Sequence, residues 1–161
     1  ATGSTPPNPQ YCYAVTSIDQ SGQEGSPSAV AGPAQATTAT TAPKFASATA
    51  SAGGSTVTVT YNQAILCSSV DTNGSDYSVV YTNGGVSTAV TPTAAACNPA
   101  GTTGTTVTIT APAGSFGGAA NAGTVTVTAK NGADGNTVAN TATTPQYQPV
   151  GDAVIANSVG A

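Results

Sequence analysis

Thr56-Val57-Thr58-Val59-Thr60-Tyr61 sets hydroxyl-bearing and apolar side chains in strict alternation. Successive side chains of an extended strand point to opposite faces, so this period of two describes a β-strand with one buried face and one wet face. The pattern returns in Thr105-Thr106-Val107-Thr108-Ile109-Thr110 and in Thr124-Val125-Thr126-Val127-Thr128, with Val directed inward and Thr outward. Further strands are expected over Ala46 to Ala52, Tyr77 to Tyr81 and Val86 to Thr91. Turn signals separate them: Gly53-Gly54, Asn73-Gly74, Asn83-Gly84-Gly85, Gly101 to Gly104, Gly117-Gly118 and Asn131-Gly132. Asn83-Gly84, between two alternating runs, is the most specific hairpin signal, because tight hairpin turns need positive φ. No segment carries a helical period. Short strands at near-regular spacing predict an all-β fold built as a β-sandwich.

Composition fits that reading. The 161 residues include 2 Lys+Arg, 6 Asp+Glu and no His, Met or Trp, with a formal net charge of −4. The 5% charged content is far below the roughly 25% of an ordinary soluble domain. Membrane insertion is not expected, since Ala and Val are interleaved with Thr and Ser and no run nears the ~18 apolar residues of a spanning helix. Disordered chains pair high net charge with few β-branched periodic segments, and this chain does the opposite. Two basic residues cannot neutralise a run of phosphates, which argues against nucleic acid and against anionic lipid. A Thr/Val-rich surface with few charges suits a secreted β-protein packed against neighbours. No signal peptide is visible, so a secreted, extracellular or cell-surface location is inferred from composition, and the start at Ala1 is expected to follow a cleavage or a truncation.

The organisation reads in five parts. Residues 1–9 are a Pro/Thr/Ser-rich extended arm, 10–32 a strand pair, 33–42 an Ala/Thr/Pro linker, 43–148 the sandwich, and 149–161 a tail. In the strand pair, Tyr11 to Asp19 alternates as a strand, Asp19 to Glu24 turns, and Ser26 to Ala31 reads as an edge-like segment. In the tail, Asp152-Ala153-Val154-Ile155-Ala156 is either the last strand of the sandwich or a strand given to a neighbour.

Tyr11-Cys12-Tyr13-Ala14-Val15, followed by Asp19, Gly22, Glu24 and Ser26-Pro27, resembles the last two strands of a fibronectin type III domain. The five strands that should precede them in that family are not in the sequence; either processing has removed them or another chain completes the sheet. Val57 to Ala64, Ser68 to Asp71, Asp76 to Val79 and the Asn131 to Asn136 turn resemble the immunoglobulin-like repeats of bacterial surface-layer proteins and large secreted adhesins. That resemblance spans about residues 42–145. It implies an immunoglobulin-like β-sandwich preceded by an N-terminal strand pair, and a role as spacer, layer or filament.

Few residues offer chemistry. Without His, the Ser-His-Asp, Cys-His and His-metal arrangements are absent, and Lys44 and Lys130 sit in no recognisable Ser-Lys motif, so no enzyme is expected. A disulfide between Cys67 and Cys97 would close a loop of modest size, worth about 3–4 kcal/mol on the chain-entropy model. Cys12 is then either a buried strand residue or a thiol for intermolecular linkage. Asp71, Asn73 and Asp76 gather oxygen ligands around Gly74, which suits calcium, although Thr82 stands where an EF-hand would place its bidentate Glu. A plain Asx-turn is the competing reading, there and at Asn131, Asp134 and Asn136. No other cofactor is expected. Asn73-Gly74-Ser75 is a glycosylation sequon, and Lys44 with the late Asn residues would permit a Lys–Asn isopeptide bond if a buried acid lay beside them.

Together these features predict a structural subunit of an extracellular filament, pilus-like fibre or surface layer. It would self-associate by β-strand complementation through its terminal arms. The alternative is an adhesin or carbohydrate-binding module that recognises a surface glycan or another surface protein, with Tyr61, Tyr77, Tyr81 and Tyr147 as stacking platforms.

Overall fold

A computed structural model describes residues 10–13, 18, 20–23, 31–35, 41–50, 54–117 and 123–157. The chain divides into two compact units, Ala1–Ala39 and Thr40–Ala161. In the first, β1 (Gln10–Tyr13) pairs antiparallel with β2 (Ala31–Gln35). The second strand thus lies later than the expected Ser26 to Ala31 and runs into the stretch read as linker. Pro33 is tolerated there because this two-stranded sheet consists of edges alone. The arm over residues 1–9, both ends of the Asp19 to Glu24 turn and the Ser26-Pro27 segment fall outside the described residues.

The second unit is all-β and sandwiches two four-stranded antiparallel sheets. One holds β3 (Phe45–Ala50), β4 (Thr56–Leu66), β8 (Thr103–Thr110) and β7 (Ala94–Asn98) in that spatial order. The other runs β10 (Ala153–Asn157), β9 (Thr124–Ala129), β5 (Tyr77–Asn83) and β6 (Val86–Val90). A short 3-10 turn, Cys67–Ser69, follows β4. Among the described residues no helix is long and apolar enough to cross a membrane.

Register explains why the alternation could be read so directly. Val57 lies opposite Ile109 and Val59 opposite Val107, while Thr56, Thr58 and Thr60 face Thr110, Thr108 and Thr106 on the outer side. In the other sheet Val79 pairs with Val127 and Tyr77 with Ala129. Directly opposed residues share a face, so each Val–Val pair adds to one continuous core and each Thr–Thr pair to the surface. Val57, Val59, Val107, Ile109, Val125 and Val127 are completely buried, joined by Ile65 near the end of β4 and by Phe116 and Val138 from the connections. The Thr58 and Thr108 hydroxyls hydrogen-bond each other at 3.2 Å on the outer ladder.

Two features differ from expectation, and a third decides between alternatives that the sequence leaves open. The β5–β6 hairpin turns on Gly84 and Gly85, with φ of 56° and 81°, and Asn83 instead closes the ladder opposite Val86. Two consecutive positive φ values are what a two-residue hairpin loop requires, and Gly-Gly meets that demand more easily than Asn-Gly. Strand β7 has no sequence signal, because Ala94-Ala95-Ala96 has low β-propensity. Pairing of Ala95 with Ile109 and Cys97 with Val107 imposes the strand. Finally, β10 pairs with β9 along its whole length, so the apolar tail segment completes its own chain's sheet.

Candidate functional site

Two loops converge beside the sandwich. The first, Asp71 to Asp76, leads into β5, and the second, Asn131 to Asn136, follows β9, the strand paired with β5. Each loop looks like a plain turn on its own, and the sheet brings them together. Carboxylate oxygens of Asp71, Asp76 and Asp134 lie within 4.8 Å of one another. The chain has only six acidic residues, and half of them meet here.

Hydrogen bonds fix this geometry. Asp71 Oδ2 accepts from the Ser75 hydroxyl at 2.6 Å and from the Ala133 backbone N–H at 2.5 Å, which ties the second loop to the first. Asp76 Oδ2 accepts from the Asp71 N–H at 2.6 Å. Asp134 Oδ1 accepts from the Asn136 N–H at 2.8 Å in an Asx-turn. Asp76 is only 1% exposed, yet its Oδ1 has no hydrogen-bond partner. Gly132 packs against this oxygen: a Cβ there would collide with both Asp71 Oδ2 and Asp76 Oδ1. Burial pushes the Asp76 carboxyl up to about 6; the Asp71 N–H pulls it down, the charges of Asp71 and Asp134 add to the rise, and Lys130 opposes it.

Asn73 stands outside this triad. Exposed, it uses its Oδ1 to accept from the Ser75 N–H at 2.9 Å in an Asx-turn. Asn131 and Asn136 are also exposed. The glycosylation sequon at Asn73 therefore lies on an accessible loop.

The other singled-out residues hold the fold. Cys67 and Cys97 are joined, with 5.4 Å between their Cα atoms and 30 residues of sequence separation. The bond links the end of β4 to β7, the strand with the weakest propensity. Of Cys12, only its place in β1 is described, not its side chain. Lys44 is exposed, and its backbone N–H donates to Asn62 Oδ1 at 3.0 Å. The buried Asn140 spends its Nδ2 on the Thr41 carbonyl at 3.1 Å and its Oδ1 on the N–H groups of Ala142 and Gln146. These partners leave the buried Asn stabilising a loop, well apart in role from an isopeptide acceptor.

Tyr61 and Tyr77 are core residues, 3% and 1% exposed. Their hydroxyls meet at 3.1 Å, and Tyr61 also donates to Gln148 Oε1 at 3.2 Å, which makes Tyr77 the donor within the pair. Burial raises both phenols well above their usual range. Neither offers a stacking face to a glycan. Tyr81 is half-buried with its ring 6.4 Å from Phe116, and Tyr147 is 48% exposed. The sequence reading missed Gln148 and Asp152, whose polar side chains are recruited through long-range contacts that leave no local periodicity.

No protein-family model and no curated protein matches this chain. Among solved structures it resembles the N-terminal part of the bacterial S-layer protein SbsC, with a TM-score of 0.51 and 16% identity over 74% of this chain and 24% of that one. It also resembles domains 1–6 of surface layer protein SbsC, with a TM-score of 0.52 and 16% identity over 75% of this chain and 14% of that one. The chain thus spans less than a quarter of the length of either structure. At this identity the likeness establishes a shared β-sandwich architecture.

Proposed function

We propose that this chain is a structural subunit or repeat of an extracellular surface layer or filament, immunoglobulin-like in type, that joins its neighbours by β-strand addition. The observation that carries the reading is the β6 edge. Val86-Ser87-Thr88-Ala89-Val90 hydrogen-bonds only to β5 among the described residues and holds no charge, no Pro and no bulge. Val86 is 69% exposed, and Ser87, Thr88 and Ala89 are exposed beside it. Natural proteins guard such edges with Lys, Pro or irregular backbone, because open N–H and C=O groups recruit strands from other chains. Of the other edges of the two four-stranded sheets, Pro99 follows β7, Pro43 precedes β3, and β3 lies against β10. An unguarded, uncharged edge suits a molecule whose partner is another copy of itself.

Two further points support a structural role at the cell surface. The S-layer likeness supplies a precedent for the fold in such layers. The buried tyrosines remove two of the four aromatic platforms on which a glycan-binding reading would rest.

The test places charge on the edge. Val86→Lys with Thr88→Lys alters exposed positions, so the sandwich should stay folded by circular dichroism while self-association, followed by sedimentation velocity, is lost. Undiminished association of this variant would remove β6 from the interface. A wild-type chain that stays monomeric at every concentration would remove the subunit reading itself.

A further inference from the structure

The carboxylate triad lies in a chain that otherwise avoids charge. Bringing Asp71, Asp76 and Asp134 within 4.8 Å costs repulsion and desolvation, and only 2 basic residues exist anywhere in the sequence to offset it. The buried Asp76 Oδ1, unpartnered and set against the Gly132 turn between Asp71 and Asp134, is a second and separate observation. Native proteins leave few buried polar oxygens unsatisfied, and an ion is one of the ordinary explanations. We infer that Asp71, Asp76 and Asp134 bind a calcium ion that staples the Asp71 to Asp76 loop to the Asn131 to Asn136 loop.

Chemistry selects the ion. The three side chains offer hard oxygen donors alone, with no sulfur or imidazole nearby to favour zinc or copper. Two oxygens bound to one calcium at about 2.3–2.6 Å stand at most about 5 Å apart, which the observed spread satisfies. Magnesium demands a tighter, near-ideal octahedron and keeps its waters, which donors from two separate loops fit poorly. Three carboxylates also provide more negative charge than one divalent ion needs, leaving the remaining positions to water and backbone oxygen. Asp71 Oδ2 already holds Ser75 and Ala133, so the first and second loops are pre-arranged and the ion needs to order little. Gly132 is required because any side chain there would occupy the space between the Asp71 and Asp76 oxygens.

The experiment titrates the full 161-residue chain, stripped with chelator, with calcium chloride in a calorimeter and follows thermal unfolding in parallel. At a dissociation constant of about 10⁻⁴ M, the range of extracellular modules, about 5 mM calcium shifts the folding equilibrium roughly 50-fold and raises the unfolding midpoint by several degrees. Magnesium at the same concentration gives a clearly smaller shift. Asp134→Asn alters an exposed residue and should leave the fold intact while weakening calcium binding at least tenfold. Asp76→Asn should abolish binding and, by removing a buried charge, unfold no more easily than the chelated wild type. No binding heat and no midpoint shift in the wild type, equal binding by Asp134→Asn, or equal responses to magnesium and calcium would each overturn the assignment.

Discussion

Phe45 donates its backbone N–H to Oδ2 of Asp152 at 2.8 Å, across 107 residues of sequence. The bond joins the first strand of one sheet to the turn that opens the last strand of the other, and so closes one side of the sandwich. The same oxygen accepts from Gln148 Nε2 at 2.9 Å, and Gln148 in turn accepts from Tyr61. One carboxylate therefore anchors a polar chain running from the surface to the Tyr61–Tyr77 pair in the core. Asp152→Ala leaves Phe45 and Gln148 without their acceptor and should cost about 2–3 kcal/mol in urea unfolding. Asp152→Asn keeps one acceptor oxygen and should lose less than half as much.

The Cys67–Cys97 bond closes a loop of 30 residues. Replacing both cysteines with Ala should lower stability by about 3–4 kcal/mol on the chain-entropy model, and dithiothreitol should do the same to the wild type. Hydrogen exchange should accelerate first in β7, where Ala-rich sequence gives pairing little intrinsic support. Unchanged protection of β7 in the double variant would show that β8 alone holds it.

Alternation of burial predicts opposite outcomes at neighbouring types of position. Ile109 is fully buried opposite Val57, so Ile109→Ala should cost about 2–5 kcal/mol through lost transfer energy and a cavity. Thr126 lies on the outer face opposite Val80, and Thr126→Ala should change stability by less than about 1 kcal/mol. Equal costs in urea unfolding would contradict the assigned faces.

Alkali should unfold the protein through Tyr61 and Tyr77. Their folded-state ionisation is raised, first by burial, whereas in the unfolded chain each ionises near the ordinary value of about 10. Above that pH the unfolded state binds fewer protons than the folded state, so stability falls as pH rises; below it this contribution is constant. Absorbance at 295 nm should show two tyrosines ionising only with loss of near-ultraviolet circular dichroism. Tyr61→Phe and Tyr77→Phe should each remove part of the absorbance change that accompanies unfolding.

The sandwich was legible in sequence because its strongest strands bury β-branched residues at every second position. A period of two survives in a linear reading: Val57, Val59, Val107, Ile109, Val125 and Val127 were all assignable to the core from alternation. Strand β7 was invisible because it draws its conformation from β8 and not from its own Ala residues. The carboxylate site was legible only in halves. Asp71 and Asp76 stood out around Gly74, and Asp134 marked a second turn, but nothing local says that β5 and β9 are neighbours and so set these turns side by side. The same holds for Asp152, whose partner Phe45 lies at the far end of the unit.

The proposed role requires this sandwich to join to other copies of itself. Negative-stain electron microscopy of the purified chain, over rising concentration, tests it most directly. Ordered sheets or filaments with a repeat the size of one sandwich are the predicted result, dispersed by Val86→Lys with Thr88→Lys. Isolated particles of single-chain size at every concentration, with a monomer mass by sedimentation, would contradict it.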